Sequence, residues 1–249
     1  MRRTLRIAAQ IERTYFTPAT YIAATHRRLQ HRLSGALWIG DTTQRAIALT
    51  FDDGPWPRDT GDLLDVLARH ETRATFFNIG LHAHKYPDLV QAVAQAGHRQ
   101  GLHGYYHRPF PLLTAHQLET HLARARLVMA EAVGGSPEAF VYVRPPFGWF
   151  TPGLLRRLSE WEYRTVMWTV VPTHWLQPEQ KTYTDVMRQI SPGAILVLHE
   201  SLPGPSIARV TDELLRRLKD DGYRFVTVDE MWVTQLGEAS LADMGGESG

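Results

Sequence analysis

Two adjacent carboxylates are the first residues whose types and position indicate chemistry. Asp52 and Asp53 follow the apolar run 46–51 and precede Gly54-Pro55. The run predicts a buried strand, and the Gly-Pro pair predicts its exit into a loop. Neighbouring acids at a strand end repel each other, so they need water, or a cation together with a hydrogen-bond donor. The pair therefore indicates either a solvated turn or a cation site.

Two histidines four residues apart supply further ligands. His103 and His107 could reach one metal from a helix face or from a compact loop, and Gly101 and Gly104 favour the loop. The spacing alone is a weak signal. With Asp53 it forms a His, His and carboxylate set that leaves metal positions open for water and substrate, as in catalytic sites. Because the chain contains no cysteine, a metal would have to bind histidine and carboxylate side chains.

Three further motifs complete the pattern: R-P-P-F-G at 144–148, V-P-T-H-W at 171–175 and L-V-L-H at 196–199. They follow T-F-D-D-G-P at 50–55 and H-x-x-x-H at 103–107. In this order the chain resembles the polysaccharide deacetylases, which are carbohydrate esterase family four and are also called the nodulation-protein-B homology domain. The resemblance covers about residues 44–232.

The resemblance implies a catalytic role for three side chains and one backbone group. Asp52 would be the general base that takes a proton as water attacks an amide. Arg144 would pair with Asp52 and keep it ionised and oriented. His199 would be the general acid, because an amine leaves poorly unless it is protonated. The backbone N–H of Phe147 would help to stabilise the oxyanion.

The resemblance also implies metal ligands and substrate contacts. The expected metal ligands are Asp53, His103 and His107, and zinc fits this donor set best, with cobalt or nickel as alternatives. Trp175 and Tyr106 could stack on sugar rings or could simply pack at the rim. Leu196 or Leu198 could line an apolar pocket for an acetyl methyl group, or both could be barrel core. The expected substrate-binding residues are thus Phe147, Trp175, Leu196 and Tyr106.

The function implied is a metal-dependent hydrolase that removes N-acetyl groups from N-acetylglucosamine-containing poly- or oligosaccharides, such as chitin oligomers or peptidoglycan. The fourth motif departs from the family pattern D-x-x-D-W, because Val171 and His174 replace both acids. The first acid normally orients and charges the catalytic histidine, so His199 is expected to be a weaker acid catalyst. Two alternatives therefore remain: a hydrolase of another N-acyl or O-acyl substrate, and a carbohydrate-binding pseudoenzyme.

The elements that must position these residues alternate between apolar runs and helical patterns. Such alternation predicts a parallel α/β sheet, and the motif residues fall just after strands, which places them at one rim of a barrel. We expect a distorted, partly open (β/α)7 barrel over residues 44–235, preceded by a basic helical extension (1–43) and followed by a disordered tail (236–249). Strands are predicted near 45–51, 73–78, 98–102, 140–144, 163–171, 193–199 and 223–228, and helices near 60–70, 87–96, 114–133, 152–161, 184–190, 206–220 and 229–235. The histidines on these helices or their flanks are expected at the surface: His70, His82, His84, His98, His116 and His121.

The charge distribution separates the first 40 residues from the rest of the chain. Residues 1–40 carry a charge of +6 and the remainder −5, within a net charge of +1. The acidic body argues against nucleic-acid binding, whereas the basic segment could dock on that body or contact an anionic membrane surface. Arg6 and Glu12 interrupt the apolar core that a cleavable signal peptide needs, and no run is long enough for a membrane span. We expect a cytoplasmic or membrane-peripheral protein, with the cell envelope as an alternative; the sequence does not indicate an oligomeric state.

Overall fold

The computed structural model describes residues 35–232. The strands are β1 (Ala36–Leu37), β2 (Ala46–Asp52), β3 (Thr75–Asn78), β4 (Arg99–Leu102), β5 (Tyr142–Val143), β6 (Arg164–Val166), β7 (Ile195–His199) and β8 (Arg224–Val226). The helices are α1 (Thr60–Arg69), α2 (Gly80–Lys85), α3 (Pro87–Gln95), α4 (Ala115–Val133), α5 (Pro152–Glu160), α6 (Glu179–Gln189) and α7 (Ile207–Asp220). Short 3-10 helices lie at Phe110–Leu112, Pro137–Ala139 and Pro146–Gly148, and residues 228–232 are helical.

All strand pairs among these residues are parallel, in the order β1-β6-β5-β4-β3-β2-β7, and β8 pairs with β2. β2 pairs with β3 over residues 50–52 and with β8 over residues 46–48. A parallel bridge between Val170 and Leu196 links the segment after β6 to β7 at the far end of the sheet. The prediction of a distorted, partly open α/β barrel is confirmed.

Several predicted boundaries are corrected by the structure. Residues 36–37 were predicted to be part of a helical extension, but they form β1, which pairs with β6. The predicted strand 163–171 is reduced to residues 164–166, α6 begins at Glu179 instead of 184, and α2 was not predicted. Residues 38–43 of the predicted extension are not helical either, while residues 1–34 and the predicted tail lie outside the described residues.

The two faces of β2 explain how the sequence positions a polar group inside the barrel. Every residue of this strand is buried, as expected for a parallel strand that is covered on both faces. Ile47, Leu49 and Phe51 pack in the core cluster that includes side chains of α1, α6 and α7. Ala48 packs in the barrel interior with side chains of other strands. Because side chains alternate along a strand, Asp52 lies on the same face as Ala48, at the carboxyl end.

Helix ends follow the sequence signals. Thr114 and Gln117 form a capping box at the start of α4, which satisfies two otherwise unpaired backbone N–H groups. Gly134 ends this helix with φ 64°, in the left-handed region that favours glycine. Among the described residues, none of the helices has the length and apolar composition required to cross a membrane.

Candidate active site

The motif residues converge at the carboxyl ends of the strands. Asp52 and His199 are the last residues of β2 and β7 and are register partners. His103 directly follows β4, and Arg144 directly follows β5. A cavity of about 110 Å³ opens here. It is lined by Asp52, Asp53, His103, His107, Pro145, Phe147, Gly148, Trp168, Val171, Trp175, Val197, His199 and Leu202.

Three of these side chains form a cluster with the geometry of a metal site. The Oδ1 atom of Asp53 lies 3.5 Å from His103 Nε2 and 3.4 Å from His107 Nε2. This oxygen is buried and has no hydrogen-bond partner among the described residues. Four ligands arranged tetrahedrally around a zinc ion at about 2.1 Å lie about 3.4 Å from one another. The spacing therefore suits a first-row divalent cation.

The protonation states of the two histidines suit metal binding as well. His103 Nδ1 lies 2.7 Å from the carbonyl oxygen of Arg144. A carbonyl only accepts, so Nδ1 carries the proton and Nε2 presents its lone pair to the cluster. Burial lowers the pKa of His103 and of His107 to about 3, so both imidazoles are neutral near pH 7. Burial and the adjacent Asp52 raise the pKa of Asp53 well above its ordinary value, which a bound cation would offset.

Hydrogen bonds to the backbone hold Asp53 in place. Asp53 has φ 71°, which non-glycine residues rarely adopt. The three consecutive carbonyl oxygens of residues 52–54 accept, in order, from the Glu200 amide at 2.9 Å, from His82 Nδ1 at 2.8 Å and from the Ile79 amide at 2.9 Å. His82 was predicted to lie at the surface, and this was wrong: it is half-buried and supports a candidate metal ligand. His82 lies on α2, and the sequence did not predict this helix.

Arg144 contacts both Asp52 and the candidate metal ligand His103. Its side chain is 0% exposed, and Nη1 donates to Asp52 Oδ1 at 2.6 Å and to the Thr50 hydroxyl at 2.8 Å. Nε and Nη2 donate to the backbone carbonyls of residues 166 and 167. Its own carbonyl accepts from His103, as described above. One residue therefore orients both the carboxylate of Asp52 and a candidate metal ligand.

His199 lines the same cavity, and no carboxylate of the described residues is hydrogen-bonded to its ring. Its Nδ1 is buried and has no hydrogen-bond partner among the described residues. Its backbone N–H donates to His174 Nε2 at 3.0 Å, and the two rings stack at 5.7 Å. Burial lowers the pKa of His199 to about 3, against the opposing effect of the Asp52 charge. Burial lowers the pKa of His174 to about 4, so His174 is an uncharged neighbour near pH 7.

Two predicted substrate residues lie at the cavity. Phe147 has φ 60° and packs its ring 4.3 Å from that of His107. Two hydrogen bonds hold the turn that contains it: the Gly148 amide donates to the Pro145 carbonyl, and the Trp149 amide donates to the Pro146 carbonyl. The Phe147 amide takes part in neither of these two bonds. Trp175 is buried against His199, with ring centroids 4.9 Å apart.

Two other predicted substrate residues do not line the cavity. Leu196 is 0% exposed and packs in the core cluster between the sheet and the helices. Val197, the next residue, points to the interior and lines the cavity instead. Tyr106 is 38% exposed and packs edge-on against His121, away from the lining residues. The alternation along β7 could have identified Val197, because it lies on the same face as His199.

Comparison with known proteins identifies sequence relatives of this chain. The family model described as polysaccharide deacetylase matches residues 39–166. A peptidoglycan-N-acetylglucosamine deacetylase of Bacillus cereus is 31% identical over 78% of this chain and 71% of its own length. A chitooligosaccharide deacetylase of Rhizobium leguminosarum bv. trifolii is 37% identical over 66% of this chain and 75% of its own length.

Solved structures share the fold. PdaA of Bacillus subtilis, a family 4 carbohydrate esterase, superposes with a TM-score of 0.73 at 29% identity, over 80% of this chain and 85% of its own. A family 4 pseudoenzyme from Bacillus anthracis superposes with a TM-score of 0.72 at 25% identity, over 81% of this chain and 70% of its own. The same barrel thus occurs both in a named esterase and in a pseudoenzyme, so activity has to be argued from the site.

Proposed function

The chain belongs to the polysaccharide deacetylase family, and we propose that it removes N-acetyl groups from N-acetylglucosamine units of a poly- or oligosaccharide such as peptidoglycan or a chitin oligomer. The observation that carries this proposal is the arrangement around Arg144, which holds Asp52 beside the Asp53, His103 and His107 cluster. The names of two relatives support the substrate class, because both act on N-acetylated amino sugars.

We assign the metal-binding role to Asp53, His103 and His107. Zinc is the metal we propose, since a neutral imidazole pair with one carboxylate suits it, and cobalt or nickel would fit the same donors. A divalent cation in this position would acidify a water molecule and polarise the amide carbonyl of the substrate. All three side chains line the cavity, through which a substrate would reach the cation.

Asp52 is proposed to take the proton from the attacking water. Arg144 binds Oδ1, and Oδ2 lies 3.9 Å from His103 Nε2, so this second oxygen faces the metal cluster. The pair is buried, with Asp52 2% and Arg144 0% exposed. A fixed buried partner keeps the carboxylate in one orientation, with its second oxygen towards the proposed metal ligands, as a general base requires. The Phe147 amide is proposed to donate to the carbonyl oxygen as negative charge develops there.

His199 is proposed to protonate the leaving amine. It lines the same cavity as the proposed metal ligands, and it is the register partner of Asp52. Once Asp52 has taken a proton from water, the amine nitrogen still needs a proton before the C–N bond breaks. Among the titratable side chains that line the cavity, His199 is the one that is neither the proposed base nor a proposed metal ligand. Val197, Trp175 and Leu202 give this part of the cavity an apolar surface that suits an acetyl methyl group.

A carbohydrate-binding pseudoenzyme is the second candidate, and Val171 favours it. His199 Nδ1 has no partner among the described residues, and Val171 cannot supply one. An acid catalyst with a strongly lowered pKa is rarely protonated near neutral pH, so turnover could be lost while the glycan still binds.

The experiment that distinguishes these functions measures both acetate release and glycan binding. The protein is loaded with zinc or cobalt and incubated with N-acetylglucosamine oligomers, peptidoglycan and acetylated xylan, with His107→Ala as the metal-deficient control. We expect acetate from the first two substrates and none from the control. Binding without acetate release would establish the pseudoenzyme, and acetate from xylan alone would indicate an O-acyl hydrolase.

A further inference from the structure

Glu200 is a buried acidic side chain that the proposed chemistry does not use. It follows His199 directly, is 0% exposed, and its amide donates to the Asp52 carbonyl at 2.9 Å. It belongs to the segment 199–202, which begins with the proposed acid. Its carboxyl group approaches Gly54 in the loop 53–59, which begins with a candidate metal ligand.

Hydrogen bonds join these two segments through α1 and its N-terminal flank. The Thr60 hydroxyl donates to Glu200 Oε1 and accepts from the Trp56 amide at 2.8 Å. Asp59 Oδ2 accepts from the Ser201 amide at 2.8 Å. The first residue of α1 is thus bonded both to its own preceding loop and to the segment after β7.

The second carboxyl oxygen of Glu200 indicates that the group is neutral. Glu200 Oε2 and Asn78 Oδ1 are both buried, and neither has a hydrogen-bond partner among the described residues. Both flank Gly54: a Cβ atom built there would lie 1.8 Å from Glu200 Oε2 and 3.3 Å from Asn78 Oδ1. Two buried acceptors without a donor therefore flank the same residue, and a proton on Glu200 would supply the donor that they lack.

The charges around Glu200 agree with this interpretation. Burial raises its pKa to about 8 against the opposing effect of the Thr60 hydrogen bond, and the negative charge of Asp59 acts in the same direction as burial. The close approach to Gly54 also explains why this position carries no side chain, since a Cβ atom would displace the carboxyl group.

We propose that Glu200 is a positioning residue: as a neutral carboxylic acid it links Thr60 to Asn78 across Gly54, and so holds the loop that carries Asp53 against the segment that carries His199. Its effect on catalysis rests on the function proposed above. Its effect on the loop does not, so the two can be tested separately.

The test compares Glu200→Gln with Glu200→Ala. The glutamine amide reproduces the neutral acid, because its oxygen accepts from Thr60 and its nitrogen donates to Asn78. We expect Glu200→Gln to retain zinc affinity, kcat and hydrogen-exchange protection of residues 53–60 within about threefold. We expect Glu200→Ala to lose about 10–100-fold in zinc affinity, the usual scale for a residue that supports a ligand, and to exchange faster in the same segment.

A second pair of variants keeps the proposal falsifiable if Glu200→Ala does not fold. Thr60→Val removes the hydroxyl that donates to Glu200 at nearly constant volume, and it should also lower zinc affinity and exchange protection. Thr211→Val is the matched control, because Thr211 is equally buried in α7 and its hydroxyl has no partner among the described residues. It should leave both measurements unchanged.

Two results would overturn the proposal. If Glu200→Gln is impaired as much as Glu200→Ala, a charged carboxylate is required and the neutral acid is wrong. If the backbone amides of residues 53–60 exchange as slowly in Thr60→Val as in the unmodified protein, the hydrogen bond from Thr60 to Glu200 does not hold the loop. Hydrogen exchange can be measured without metal or substrate. If the protein binds no zinc, the proposed function is refuted, but hydrogen exchange still decides whether Glu200 holds the loop.

Discussion

Replacing Val171 by aspartate tests whether His199 acts as an acid without a charged partner. Val170 bridges Leu196, which places residue 171 beside the end of β7, and Val171 and His199 line the same cavity. The pKa of His199 is lowered to about 3 by burial. At pH 7 only about one molecule in 10⁴ would then carry the proton that a general acid must donate.

The size of the expected shift follows from the charge that the substitution adds. A carboxylate about 4 Å from the imidazole, at an effective dielectric constant of about 20, stabilises the charged form by about 4 kcal/mol. This corresponds to roughly three pKa units and would raise the pKa of His199 to about 6. The direction is upward because a negative charge favours protonated imidazole. The protonated fraction at pH 7 would rise to roughly one in ten.

The assay is the pH dependence of kcat/KM for acetate release from an N-acetylglucosamine oligomer. Because the protonated acid is the active form, activity falls on the alkaline side as pH rises through its pKa. Val171→Asp should move this limb to higher pH. It should also raise turnover near pH 7 by about 10–100-fold, less than the gain in protonated acid because a weaker acid transfers its proton less readily.

Val171→Asn is the matched control, since it has the shape of aspartate without the charge, and it should leave the alkaline limb in place. Metal content is measured in both variants, so that an additional metal ligand is not mistaken for a partner of His199. An unchanged profile in a folded Val171→Asp variant with normal metal content would refute the reasoning. It would mean that another group already serves His199, or that His199 is not the acid.

The remaining predictions concern the other groups of the site. Asp52→Asn should retain the metal and lose about 10²–10⁴-fold in kcat, the usual scale for a general base; near-normal turnover would remove Asp52 from the mechanism. The double variant His103→Ala/His107→Ala should contain no stoichiometric zinc by elemental analysis, and chelation of the unmodified protein should abolish an activity that added zinc or cobalt restores; metal retained in the double variant would show that the ligands lie elsewhere. Leu196→Ala should lower the free energy of unfolding by about 2–5 kcal/mol without changing the preference for acetyl over propionyl substrates, whereas Val197→Ala should change that preference. The opposite pattern would contradict the assignment of the two faces of β7.

The sequence predicted the barrel well because most of its strands and helices are long enough to show a pattern in their own residues. The fully buried run of β2, the capping residues of α4 and the positions of the motifs after strands all agreed with the structure. β1 is only two residues long, so it is too short to produce a periodicity, and its pairing with β6 joins segments far apart in the chain. Such a strand is defined by its partner and not by its own residues.

The errors at the site have a different origin. Leu196 was selected because it is apolar and close to His199, yet an odd separation along a strand places two side chains on opposite faces. His82 was assigned to the surface because it flanks a predicted helix. It lies instead on α2, which was not predicted, and its bond to the Asp53 carbonyl depends on how that helix approaches the loop after β2. The link from the Arg144 carbonyl to His103 depends in the same way on loop conformation, which a motif does not encode.

The two departures in the fourth motif have different consequences in the structure. His174 retains a structural function, because Nε2 accepts from the backbone N–H of His199 and the ring packs against Trp175. Burial lowers its pKa to about 4, so His174 is neutral near pH 7 and does not raise the pKa of His199 as a carboxylate would. Val171 lines the cavity but has neither charge nor an acceptor to offer. The proposed base, the candidate metal ligands and Arg144 lie together at one end of the barrel. On the function proposed here, the difference between an active deacetylase and a glycan-binding pseudoenzyme therefore depends mainly on how His199 is protonated beside Val171.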